Sequence, residues 1–228
     1  MDLELLKTLV ERLRIEAIGE PVWVESKGVY EYAEQNIDVV VTLKLIRAAQ
    51  GIHAMDILGR HGLFVDLGAI NRCVEDCVSE VYFLLENYPN QTNNVNKFVK
   101  HFFSKTIDGH LSSGEEPVST NKVHNAMVRS LTGEEQDEST KASLTKAYAT
   151  FSGYIHAGYS HIMQMYGGHP PRLSFNISGI PSQRQKDMHG EIVDEAYKSV
   201  LYAVAHAAGT FSLTELHRDA TSSTEKFQ

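Results

Sequence analysis

The stretch AEQNIDVVVTLKLIRAAQGIHAMDILGRHGLFVDLGAINRCVEDCVSEVYFLLENYPN, residues 33–90, carries two helical apolar stripes separated by one glycine-bearing turn. Ala33, Ile37, Val41, Leu45, Ala48, Ile52 and Met55 recur at the spacing of one helix face. Ser26 is placed to cap this helix. Arg60-His61-Gly62 closes it, with basic side chains where the dipole favours them and glycine where a left-handed residue is needed. Asp66 is a natural cap for the next helix, in which Leu67, Ile70, Val74, Cys77, Val81 and Leu85 share a face until Pro89-Asn90 stops it. So short a turn forces the two helices to run antiparallel.

Outward from this hairpin, Leu3, Leu6, Val10, Leu13 and Ala17 predict a first helix over residues 2–18, ended by Gly19 and Pro21. Residues 90–138 read as an insertion or lid, with short helices over 93–106 and 120–131 on either side of the polar run Asp108 to Pro117. Ser139 is placed to cap a helix burying Leu144, Tyr148, Phe151, Ile155, Ile162 and Tyr166, stopped by Gly167-Gly168-His169-Pro170-Pro171. An extended loop follows to about Ser182, and a last long helix covers 183–208. The expected fold is all-α: about four long helices bundled in one domain over residues 1–216, two short helices inserted, and a polar, disordered tail over 217–228.

Composition is that of an ordinary globular chain of 228 residues, 42% hydrophobic and 22% charged. A formal charge of -8 repels polyphosphate at long range and argues against nucleic acid as the main partner. Cys73 and Cys77 lie four apart on one helix, awkward for a disulfide and too few for a zinc site, so they read as buried thiols. Glu4, Lys7, Glu11, Arg12 and Arg14 interrupt the N-terminal leucines, unlike a signal peptide, and no stretch is long and apolar enough to span a membrane. The expected compartment is the cytoplasm, and an apolar helix face suits a homodimer. Walker, dinucleotide-binding and HExxH motifs are absent from the sequence.

Three groups of residues could carry chemistry. Arg72 stands one turn from Glu75 and Asp76, as an exposed ion pair or, if its helix is central, as a buried latch that must be paired. The run Phe151-Ser152-Gly153-Tyr154-Ile155-His156-Ala157-Gly158-Tyr159-Ser160-His161 crowds aromatics, histidines and two glycines into an expected helix. Each interior glycine costs about 1 kcal/mol relative to alanine, so close approach of a helix or ligand should offset it. Arg47 and His53, about 120° apart around an ideal helix, read either as a surface arginine with a core histidine or as a catalytic pair. His53, Asp56, Glu75, His156 and His161 are the metal-ligating residue types available to a bundle core; without paired Glu-x-x-His motifs no metal ligand and no cofactor is assigned.

Arg47-Ala48-Ala49-Gln50-Gly51-Ile52-His53 resembles the Arg-x(4–6)-His signature of HEPN ribonucleases, although Ala48 stands where that family usually has a polar residue. The resemblance implies metal-independent RNA cleavage across a dimer interface, with His53 as general base and Arg47 stabilising phosphate charge. Arg72 with Glu75, and Tyr154 with His156, are similar to an uncharacterised group of bacterial all-helical proteins, themselves HEPN-like, over residues 30–168. That likeness implies a helical, HEPN-like up-and-down arrangement and no settled activity.

The leading expectation is therefore an interaction or small-ligand-binding module whose ligand faces Arg72, Glu75, Tyr154, His156 and His161. The alternatives are an HEPN-type endoribonuclease of the toxin or phage-defence kind, with RNA as partner, and a metal-dependent bundle enzyme.

Overall fold

A computed structural model describes residues 1–104, 117–133, 137–169 and 172–225. The chain is all-α, with two small two-stranded sheets among the described residues. Helix α1 (Leu3–Ala17) starts at Asp2, whose carboxylate accepts from the Leu5 amide at 3.0 Å, and buries Leu6, Leu9, Val10 and Leu13. Ser26 caps nothing. Strands β1 (Val22–Val24) and β2 (Val29–Glu31) pair antiparallel, and Ser26 sits in their turn with Gly28 at φ 65°. Short runs of valine and aromatic residues flanking a left-handed glycine favour this hairpin over an extra helical turn. Helix α2 (Ile37–Arg60) begins instead at Asn36, which accepts from the Val39 amide at 3.0 Å, and Ala33 lies outside it, exposed.

Gly62, at φ 71°, turns the chain into helix α3 (Phe64–Leu85). This helix starts two residues ahead of Asp66, which lies in its first turn, where a negative charge suits the dipole without capping. Gly51 allows α2 and α3 to touch, because a Cβ there would run into the Val74 methyl. Helix α3 is central. It packs against α2 and against helices α5 (Thr120–Thr132), α6 (Glu138–Ile155) and α8 (Gln183–Thr210). Hence Val81 to Leu85 are buried without interruption: neighbours surround the helix, and no side of this segment is free to face water.

Helix α4 (Asn93–Ser104) and α5 match the two short helices expected in the insertion, and the polar run between them falls largely outside the described residues. Asp137, not Ser139, caps α6, accepting from the Ser139 and Thr140 amides at 2.9 and 3.1 Å. The helix expected to continue to Tyr166 stops at Ile155. Ala157 adopts φ 50°, and after Gly158 a short helix, α7 (Tyr159–Met163), folds back. The anticipated buried face holds only in part: Leu144, Tyr148 and Phe151 are half-buried and Tyr154 is buried, while Ile155, Ile162 and Tyr166 are exposed.

Strands β3 (Tyr166–His169) and β4 (Arg172–Phe175) form an antiparallel hairpin where a loop was expected; the prolines between them lie outside the described residues. Beyond it, Gly179 at φ 114° crosses the α2–α3 turn so closely that a Cβ would meet the His61 carbonyl, and the Ile180 amide donates to the Gly62 carbonyl at 2.9 Å. Helix α8 then starts at Ser182.

The polar tail is helical through Thr224. Helix α9 (Thr214–Thr224) lies on α8 and α1, burying Leu216 and Ala220, and Arg12 of α1 donates to Asp219 at 2.7 Å. Its hydroxyl-rich end is compatible with a helix because Ser223 and Thr224 donate back to the Asp219 and Thr221 carbonyls. Residues 226–228 lie outside the described residues.

Candidate functional site

Because α3 is surrounded, the polar residues on its buried faces must be satisfied inside the bundle. Arg72 is 5% exposed. Its guanidinium pairs with Asp76 one turn on and lies 3.7 Å from the ring centroid of Tyr148 on α6. The buried-latch reading of Arg72 therefore describes its environment. Tyr148 also meets His124 of α5 edge-on, with ring centroids 5.2 Å apart. Burial, and next the Arg72 charge, hold the His124 imidazole below its usual range.

Glu75 faces a different side. Its carboxylate accepts from the Asn71 amide at 3.2 Å, and among the described residues no cation lies within salt-bridge distance of it, since Arg72 turns to Asp76. Desolvation raises its carboxyl to about 7, against the opposing pull of the Arg72 charge.

Glu75 borders two openings. The larger, a cleft of about 490 Å³, runs between α3 and α8 under Phe151 of α6, with Val74, Val78, Met188, Ile192 and Ala196 as apolar walls. Its polar lining is Asn71, Glu75 and Ser199, with Glu191 and Glu195 at the α8 side. The smaller, about 130 Å³, lies between α3, α5 and α6 and is lined by Arg72, His124 and Tyr148; Glu75, Val78 and Ser199 belong to both.

The other residues expected to face a ligand are elsewhere. Tyr154 and His161 form a packing knot: the Tyr154 ring covers Gly68 of α3, where a Cβ would come within 2.5 Å of Cγ, and the His161 ring covers Gly153. The two rings meet edge-on at 4.2 Å, and the Tyr154 hydroxyl donates to Gln164 at 3.3 Å. The glycines' cost is thus offset by ring packing. His156 is exposed at the end of α6, and neither cavity is lined by Tyr154, His156 or His161.

Arg47 and His53 are both exposed on α2, and no hydrogen bond joins them. Asp56 pairs with Arg60, and no group of three or more His, Cys, Asp or Glu among the described residues is arranged to hold a metal ion. Cys73 and Cys77 are free thiols, and burial pushes Cys77 up to about 11. No helix among the described residues is long and apolar enough to cross a membrane.

Asn71, His124, Tyr148, Ser199, Glu191 and Glu195 were missed by sequence reasoning. Only the spacing of Asn71 to Glu75, and of Glu191 to Glu195, marks pairs on one helix face; that these pairs face one cleft depends on the α3–α8 contact. Comparison with protein-family models, curated proteins and solved structures finds no match.

Proposed function

We propose that this protein is a small-ligand-binding module and that its ligand lies in the cleft between α3 and α8. One observation carries the reading: Glu75 is held at the junction of two cavities, raised to about 7, with no cation among the described residues within salt-bridge distance. Isolating a carboxyl this way opposes stability, and a strongly perturbed group placed in a cleft is a candidate functional residue. The cleft volume falls within the range of small-molecule pockets, and apolar walls with a few converging polar groups suit a compact organic ligand. Arg72, stacked on Tyr148 and paired with Asp76, braces α3 against α6 and so holds Phe151 over the opening.

The test is a fragment screen by NMR with labelled methyl groups. Fragments that bind should shift Val74, Val78, Ile192 and Ala196 together while leaving Val22 and Val29 of the β1–β2 hairpin unmoved. Binders that shift the hairpin or α9 and never the cleft would overturn the assignment.

A further inference from the structure

We infer that the cleft ligand is an organic amine, protonated on a primary or secondary nitrogen and carrying an apolar body. This rests on the cleft being the binding site.

The charge of the lining is one-sided. Glu75, Glu191 and Glu195 contribute carboxyl groups, and no lysine, arginine or histidine lines the cleft. Glu195 is paired outward with Lys198 at 2.7 Å, whereas Glu191 has no ion pair among the described residues. Long-range attraction therefore favours a cation and repels an anion.

Asn71 narrows the choice to a cation that can donate. It is 3% exposed and lines the cleft; its amide nitrogen is used on Glu75, leaving its oxygen with no donor among the described residues. That oxygen opens onto the cleft as an acceptor free to take a ligand's N–H. An ammonium N–H placed between the Glu75 carboxylate and the Asn71 oxygen would satisfy both, and a quaternary ammonium, having no N–H, could satisfy neither by hydrogen bonding. The apolar body is accounted for by Val74, Ile192 and Ala196, with Phe151 and Met188 over the opening.

Several charged or titratable groups stand around Glu75: Arg72 and Asp76 on its own helix, His124 on α5, Tyr148 on α6, and Glu191 and Glu195 on α8. His124 is held below its usual range, so it stays uncharged through most of the interval in which Glu75 titrates. Binding of an amine favours the ionised carboxylate. With Glu75 at about 7, amine affinity falls about tenfold from pH 8 to pH 6.

The experiment titrates the full chain with n-hexylammonium, hexyltrimethylammonium, 1-hexanol and hexanoate, following the Val74, Ile192 and Ala196 methyl signals at pH 6 and pH 8. Hexylammonium is expected to bind at least tenfold more tightly than the other three at pH 8, and to lose about tenfold at pH 6 while hexanol is unchanged. Glu75→Gln should remove both the preference for hexylammonium and its pH dependence. Should that variant fail to fold, the ranking and pH profile of the unaltered chain decide the matter alone. Equal binding of hexylammonium and hexanol, or stronger binding of hexanoate, overturns the amine assignment while the cleft stands as a binding site. Absence of methyl shifts with all four probes at millimolar concentration overturns both.

Discussion

The guanidinium of Arg72 lies 3.7 Å over the ring of Tyr148, and this stack links the central helix α3 to the outer helix α6. A desolvated cation–π contact contributes about 2 kcal/mol. Tyr148→Phe keeps the ring and should leave stability within about 0.5 kcal/mol, whereas Tyr148→Leu should lose about 1 to 2 kcal/mol in urea denaturation. Equal losses in the two variants would show that the hydroxyl, not the ring face, matters.

Glu75 gives stability a pH dependence of predictable sign. Its carboxyl stands at about 7 in the folded chain against 4.5 for an unperturbed group, so its contribution is fully present below pH 4.5 and is lost as the pH rises through 7. Glu75→Gln removes the ionisation, and the variant should be more stable than the parent by about 1 to 3 kcal/mol at pH 8 and about equal at pH 4.5. Urea midpoints at the two pH values measure this; a variant less stable at pH 8 contradicts it.

Gly68→Ala sets two effects against each other. Helix propensity favours alanine by about 1 kcal/mol, but the new methyl would stand 2.5 Å from the Tyr154 ring. The ring is wedged by His161, so the packing term should win, with a net loss of about 1 to 3 kcal/mol. Adding Tyr154→Leu to Gly68→Ala should recover part of that loss. A stabilised Gly68→Ala protein would mean that α6 does not seat on α3 this closely.

Helix α9 is part of the core rather than an appendage. Leu216 is fully buried, so Leu216→Ala should cost about 2 to 4 kcal/mol. Arg12→Ala, which removes a half-buried partner of Asp219, should cost less than about 1 kcal/mol. Thermal denaturation of the two variants separates burial from ion pairing at this docking site.

His53 and Arg47, both exposed on α2, should be replaceable by alanine with stability changes within about 0.5 kcal/mol. Purified protein is expected to leave a labelled structured RNA intact with chelator present, as should the His53→Ala variant. Cleavage by the parent and not by the variant would replace the ligand-binding reading with the ribonuclease one.

Sequence alone determined the α2–α3 hairpin, the first helix and the last long helix, because their signals are local. An apolar stripe, a basic last turn and a left-handed Gly62 act within one or two turns of the residues they organise. Helix starts were less legible. Helix α2 starts at Asn36 because the residues around Ser26 pair as a hairpin, α3 starts at Leu63 with no side-chain cap, and α6 starts at Asp137, one of several adjacent polar residues that can each serve. The helix through residues 139–166 was read as continuous because its apolar spacing does continue. Only the His161 ring seated on Gly153, with Ala157 at φ 50°, shows that the chain reverses there. The cleft was not legible at all. It arises where Asn71 and Glu75 meet Glu191 and Ser199 across more than a hundred residues of chain, a relation that depends on α8 packing against α3 and so exists only in the tertiary structure.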